Sequence, residues 1–507
     1  MLKKISVLAL AGMLAMPAVA AAGAGGAASN NLDAQIAELT KQLEALKAQM
    51  NSMKKDQDAK LASIDERAED WDAASRFQWS GDFRAMGTYM TADSPAHTSV
   101  WTGAPVAHAA ASYDNDTIFT NRLRLNMRAK ATENVEFKGR LAMYKVWGTQ
   151  TTDWLGGGGG PFDNSARYAT YDGATTRTPS DNILRVDRAF VNWNNIGGAP
   201  VWFSIGRRPT TDGPPAHLRM NSDERLATPT AFMDWPFDGV SVGYAYNNLF
   251  GMDAPGRVRF CWGRGFENGV QDYDQANAIS DTDFAGISWD IYKKGDRFVY
   301  LQSFAAFNLF NYPDTLDYSS NGQPRETLGD LIHTSGAYMD KWQNLNYFVA
   351  LGWSHTEPTN YDAVGYGILA SNNTDLENRD GYIAYVGVRY DIPNQPFKIG
   401  AEYNHGTEYW IGMTPGHDDM YATKLGTRGD VYEVYGIWDI PGGEKISKYG
   451  KAFIRLGYQH YEFDYTGSGN WVGAPVDIDT VSNAGVTVTS TPVEDMDTVY
   501  ASFEAYF

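Results

Sequence analysis

The sequence predicts an all-β fold: a transmembrane, antiparallel, up-and-down β-barrel of about sixteen strands, preceded by a short α-helical coiled coil. Three observations predict it. From Phe77 onward, apolar residues recur with period two instead of the helical period. The connections between these segments alternate between tight turns and long polar stretches, as in barrels that cross a membrane. The last strand, Val499 to Phe507, has an apolar face made of Val499, Ala501, Phe503, Ala505 and Phe507. Such an edge invites aggregation unless it pairs with the first strand and closes the sheet.

Taken in order, residues 1–20 read as a secretory signal. Lys3 and Lys4 start it, Ile5 to Met16 is apolar, and Ala18-Val19-Ala20 offers a cleavage site. That apolar core is short of the ~20 residues a spanning helix needs. Residues 21–31 form a small-residue linker. Residues 32–74 read as a periplasmic coiled coil. Its seam is Leu32, Ile36, Leu39, Leu43, Leu46, Met50 and Met53, spaced by four and three in alternation. The seam breaks at Gln57 and resumes at Leu61, Ile64, Ala68 and Trp71, a stutter that unwinds the supercoil locally. A narrow, strict seam favours self-association over a helix lying on its own protein.

Residues 77–507 form the barrel. The strands read as 77–90, 117–130, 135–147, 183–195, 200–209, 237–247, 256–266, 283–292, 297–309, 331–339, 345–355, 381–391, 398–408, 430–440, 451–464 and 498–507. Thr132-Glu-Asn134, Asn195-Ile-Gly-Gly198 and Ile392-Pro-Asn-Gln-Pro396 are tight turns. The long stretches near 91–116, 148–182, 210–236, 267–282, 310–330, 356–380, 409–429 and 465–497 read as external loops. An even strand number puts both ends of the barrel in the periplasm. A β-propeller is the soluble competitor, and no blade-length repeat supports it.

Alternation within strands assigns the faces. Leu123, Leu125 and Met127 alternate with Arg122, Arg124, Asn126 and Arg128; Val258, Phe260 and Trp262 alternate with Arg257 and Arg259. A charge on a lipid-facing position costs roughly 2–4 kcal/mol at the bilayer midplane, so the charged set faces the bore. Arg122, Arg124, Arg128, Lys138, Arg140 and Arg188 then line one wall as a candidate basic ladder, which would attract anions. The equal alternative is a mixed lumen, in which these cations pair with acids such as Glu136, Asp187 and Asp223. Trp79, Trp147, Trp193, Trp202, Tyr390 and Tyr461 sit where interfacial girdles are expected.

Composition excludes several classes. A net charge of −19 argues against nucleic acid as a partner. The single cysteine, Cys261, excludes an internal disulfide and any cysteine-built zinc or iron–sulfur site. No Cys-x-x-Cys-His attaches a haem. Mean hydropathy is negative, which suits a barrel whose apolar residues occupy alternate positions. Gly156–Gly160 lacks the Gly-Lys-Ser/Thr end of a phosphate loop. His417-Asp-Asp419 and the acids in 272–283 and 375–380 read as solvated loop groups before they read as a cation site. No nucleophile elbow, zinc-helix motif or acid–base pair emerges, so no catalytic residue, cofactor or metal is expected.

The terminal strand resembles the assembly signal of bacterial outer-membrane barrels, in which alternate apolar positions lead to a final Phe. Gly206-Arg207 and the following stretch to Met220 are similar to the place where general porins fold an external loop into the bore, although the acidic-aromatic-glycine motif of those loops is absent. The candidate constriction residues are Arg207, Arg208, Asp212, Arg219, Asp223, Glu224 and Arg225. The whole pattern looks like a Gram-negative outer-membrane porin. It is also similar to an uncharacterised porin-like family of anaerobic, metal-reducing bacteria with an amino-terminal coiled coil. The resemblance implies passive diffusion of small hydrophilic solutes or ions. It also implies outer-membrane lipid and the barrel assembly machinery as partners, and a homo-oligomer with a trimer as first guess. The alternative is a structural sheath or anchor for the cell wall or for an electron-carrying haem protein.

Overall fold

The structure is a computed structural model. It describes residues 36–55, 77–100, 104–148, 176, 179–208, 213–222, 232–233, 237–267, 280–310, 327–359, 367–372, 374–414, 419–420, 423–445, 450–488 and 491–507. The signal, the linker, Leu32 and the resumed seam from Leu61 to Trp71 lie outside these residues. The chain divides into two compact units, Met1–Ser75 and Arg76–Phe507.

In the first unit, residues 36–55 form one α-helix. Ile36, Leu39, Leu43, Leu46, Met50 and Met53 are all exposed on it, between 54% and 64%. A helix that leaves its whole apolar stripe in water has not buried the face that would stabilise it.

The second unit is a closed barrel of sixteen antiparallel strands. They are β1 (Phe77–Ser94), β4 (Ala111–Lys130), β5 (Val135–Val146), β6 (Arg185–Trp193), β7 (Val201–Arg208), β8 (Phe237–Leu249), β9 (Met252–Phe266), β10 (Thr282–Lys294), β11 (Arg297–Phe310), β12 (Thr327–Trp342), β13 (Leu345–Pro358), β14 (Arg379–Asp391), β15 (Phe397–Gly406), β16 (Gly429–Ile440), β17 (Lys451–Phe463) and β18 (Asp495–Tyr506). Two short strands, β2 (His97–Ser99) and β3 (Val106–His108), make a hairpin within the first long connection. Each barrel strand matches one read from the sequence. Several run further toward the long loops, because ladder hydrogen bonds continue where the hydrophobic alternation has already faded.

The meander closes between β1 and β18. Asp82 lies opposite Tyr506 and Arg84 opposite Glu504. Gly81 N–H donates to Phe507 O at 2.7 Å, and Phe507 N–H donates back to Gly81 O at 2.9 Å. At one end, connections are tight; Phe250 and Gly251 both have positive φ, the requirement of a two-residue hairpin turn matched to strand twist. The opposite end carries all eight long connections.

The faces are inverted relative to a soluble protein. Leu351, Val386, Ile399, Val434, Leu456, Val499 and Phe503 are exposed. Arg84, Arg122, Arg124, Glu402, Glu433, Arg455 and Glu504 on the other face are buried. Trp79, Trp147, Trp193 and Tyr390 are exposed as a girdle requires. Tyr461 corrects the expectation: it shares the parity of Gln459, is 2% exposed and donates to the Gln459 Oε1. Trp202 also turns inward, with the Arg208 guanidinium over its ring.

Candidate functional site: the bore

One wall of the bore, from β15 through β18 and β1 to β6, is charged. Asp82 accepts from Arg124 at 2.8 Å and from Arg122 at 3.4 Å. Glu136 is shared by Arg128 at 2.5 Å and Lys138 at 2.8 Å. Arg140 pairs with Asp187, and Arg188 lies 3.8 Å from the same carboxylate. A β-bulge between Arg140 and Leu141 makes this last cluster, because the extra residue on β6 lets neighbours Asp187 and Arg188 both face inward. The six cations read as a basic ladder thus sit on the bore wall, each against a carboxylate.

The other wall, from β10 to β14, is apolar. Phe298, Tyr300, Phe348, Ile383 and Tyr385 face inward and pack against Leu218, Phe232, Trp410 and Leu425 from the long connections. Trp410 is fully buried and donates to Leu425 O at 2.8 Å. Phe284, Phe304 and Phe310 gather Leu369, Ile411, Met413 and Trp471 in the same way. The Arg428 guanidinium ties these connections together by donating to the carbonyls of Trp410, Thr466 and Asn470 at 3.1, 3.0 and 2.7 Å.

The connection after β7 crosses the lumen. Residues 213–222 reach the strands half a circumference away. Arg389 donates to Leu218 O at 2.8 Å, and Arg455 to Arg219 O at 3.3 Å. Arg219 donates to Asp419 at 2.7 Å and to Glu433 at 3.2 Å. Asn221 donates to Asp439 at 2.7 Å and accepts from Lys398 at 2.8 Å; Lys451 donates to its carbonyl. Lys398, Asp439 and Lys451 flank the tight turns, so Asn221 lies toward the tight-turn end of the bore. Burial alone would weaken the Arg219 charge, but the Asp419 and Glu433 carboxylates outweigh it and raise its pKa above the ordinary arginine value. Burial pushes the Asp419 carboxyl up in turn.

Three charged side chains complete this junction. Glu402 and Glu433 stand directly opposite each other on β15 and β16, and Lys424 donates to both. All three are at most 4% exposed. Tyr385 donates to Glu402 at 2.6 Å and Tyr500 to Glu433 at 2.7 Å. The sequence reading missed this cluster. Glu402 and Glu433 at inward parity within apolar strands were its available signal.

Of the constriction candidates, Arg208 and Arg219 face the lumen. Arg207 does not: it has the opposite strand parity, points outward and pairs with exposed Asp238 at 3.2 Å. Asp212, Asp223, Glu224 and Arg225 lie outside the described residues. Asp419, read as a solvated loop acid, is instead buried against Arg219. Asp281 and Asp283 pair with Arg264, and Asp375 and Glu377 with Arg379.

Arg208 and Arg259 stand side by side at a cavity of ≈ 100 Å³ whose other lining is mostly apolar: Met233, Phe237, Phe284 and Phe304. Arg208 donates to Ser241. The Arg259 Nη2 is buried without an acceptor, and Arg259 as a whole is 6% exposed. Two guanidinium groups at one cavity, one with an unmet donor, make this a candidate anion-receptive point of the bore.

A family profile described as "Protein of unknown function (DUF3373)" matches residues 112–507. No curated protein matches the sequence. The barrel is similar to OmpT, an outer membrane protein of Vibrio cholerae in its trimer form, at 11% identity and a TM-score of 0.39, covering 85% of this chain and 99% of that one. It is also similar to an anion-selective porin from Comamonas acidovorans, at 10% identity and a TM-score of 0.40, covering 85% and 99%. Salmonella typhi OmpF in complex with daunomycin matches at 11% identity and a TM-score of 0.37, covering 84% and 97%.

Proposed function

The chain belongs to the DUF3373 family, and on that premise we propose that it is an outer-membrane porin, a non-enzymatic channel for small hydrophilic solutes or ions with a preference for anions. One observation carries the reading: a closed barrel with an apolar outside, an inside charged along one wall and a loop laid across its bore. An exposed apolar belt around a closed barrel suits lipid, and a charged lumen suits hydrated solutes. The anion preference rests on Arg208 and Arg259 and on Glu136 being shared by two cations.

Single-channel recording in a planar bilayer under a salt gradient tests this. Stable steps with a reversal potential on the anion side are expected. Arg208→Gln with Arg259→Gln should move that potential toward zero. Cation selectivity in the parent would discard the anion preference and leave the channel.

The filled apolar side of the bore favours a second reading, a plugged barrel that acts as a sheath or anchor. Its partner would be the cell wall or an electron-carrying haem protein. A folded barrel that gives no conductance steps, yet retains a haem protein on purification, would support it over the channel.

The helix extends the proposal. We read residues 32–74 as a periplasmic coiled coil following a cleaved signal, and its exposed stripe as the seam of a homo-oligomer. Leu39, Leu43 and Leu46 replaced together by Gln should shift the particle toward monomer in native mass measurement. An unchanged oligomer would remove the helix from assembly.

A further inference from the structure

Three consecutive long-loop hairpins carry the same constellation on the outward face of the barrel. On β13, β15 and β17 an aromatic residue precedes a histidine by two positions: Trp353 and His355, Tyr403 and His405, Tyr458 and His460. Directly opposite each histidine on the next strand stands an aspartate: Asp380, Asp430 and Asp497. The imidazole Nδ1 lies 2.9, 3.0 and 2.8 Å from the aspartate Oδ1. The neighbouring aromatic donates to the same oxygen, Trp353 Nε1 at 2.8 Å, Tyr403 and Tyr458 hydroxyls at 2.6 Å.

That arrangement has a chemical consequence. An aspartate on Nδ1 fixes the ring and, in the neutral imidazole, holds the proton on Nδ1 and the lone pair on Nε2. A histidine that ligates a metal is commonly oriented by a carboxylate on its other nitrogen in this way. In two of the hairpins a second carboxylate lies near Nε2. Glu462 Oε1 is 3.3 Å from His460 Nε2, and Glu357 Oε1 is 3.9 Å from His355 Nε2. Asn378 also approaches His355 Nε2, at 3.4 Å. In the middle hairpin, one donor atom from each of His405, Asp430 and Asp464 lies within 4.8 Å of the others. Two bonds of ~2.1 Å at a tetrahedral angle separate their donor atoms by ~3.4 Å, so the His460–Glu462 spacing already suits one shared ion.

We propose that these three clusters, His355 with Glu357 and Asp380, His405 with Asp430 and Asp464, and His460 with Glu462 and Asp497, are binding sites for divalent transition-metal ions of the zinc class on the outer rim of the barrel. Imidazole and carboxylate together select such an ion over calcium or magnesium, which take all-oxygen shells. With few protein ligands each, the sites keep open coordination positions on their solvent side. The simpler reading of the same geometry is a protonated imidazole held between two carboxylates, with no ion.

Calorimetric titration of the full-length, tag-free protein in detergent with Zn²⁺ distinguishes the two. About three equivalents should bind, and His355→Gln, His405→Gln and His460→Gln should each remove about one. Co²⁺ at the same sites should give visible absorption bands that the triple variant lacks. No Zn²⁺ binding, or binding that the triple variant retains, overturns the proposal. So does Ca²⁺ binding with equal affinity and no dependence on the histidines. Retained heat-modifiable migration of the variants shows that their barrels are folded, so a lost equivalent reads as a lost site.

Discussion

Replacing residues 213–222 with a short Gly-Ser linker should raise single-channel conductance several-fold. Flux through a pore is set by its narrowest section and by the charges there. This segment lies across the bore, and Leu218, Arg219 and Asn221 hold it against β14 to β17. A flexible linker keeps none of those anchors. The barrel ladder is independent of them, since every strand pairs with its neighbours along its length. The variant should therefore still migrate as a folded, heat-modifiable barrel. Unchanged conductance from such a barrel would mean that the connections around Trp410 and Lys424 set the limit, and would sink the constriction role of 213–222.

Lys424→Met should cost about 3–5 kcal/mol of stability, the loss typical of leaving buried charges without their partner. Lys424 is 1% exposed and stands between Glu402 and Glu433, which face each other across the ladder. Like charges directly opposite destabilise a sheet even at its surface. Here burial strengthens the repulsion. Adding Glu402→Gln removes one of the two charges and should recover a large part of the loss. Urea unfolding of the protein in lipid vesicles measures both. A Lys424→Met variant as stable as its parent would show that the junction is better hydrated than its burial implies.

Much of the barrel was legible because period-two alternation is a local property. Each strand declared its two faces through pairs such as Leu123 and Arg124. The turns declared themselves through residues such as Asn195 and Gly198, both at positive φ. Parity alone put Arg122, Arg124 and Arg140 in the bore. Constriction residues named from the loop after β7 did not all obey parity's limits. Arg207 and Arg208 are neighbours, so only one could face inward, while the bulge beside Arg140 lets Asp187 and Arg188 break the same rule. The loop acids misled for another reason: Asp419 looks solvated in sequence, and only the folded loop brings Arg219 to it, 200 positions away.

By itself, the sequence determined a barrel of about sixteen strands, the inside and outside of the sheet, the end that carries the long loops, and the closure through Phe507. These follow from side-chain alternation, turn chemistry and the cost of an open edge, all of which act within a few residues. Only the tertiary structure decided which charges share a carboxylate, which half of the bore is apolar, and that residues 213–222 cross it to meet β14 to β17. It also set three histidines each opposite an aspartate on one rim. Those are contacts between segments that the closed barrel brings together, and their energies depend on burial and on register, which no local pattern encodes.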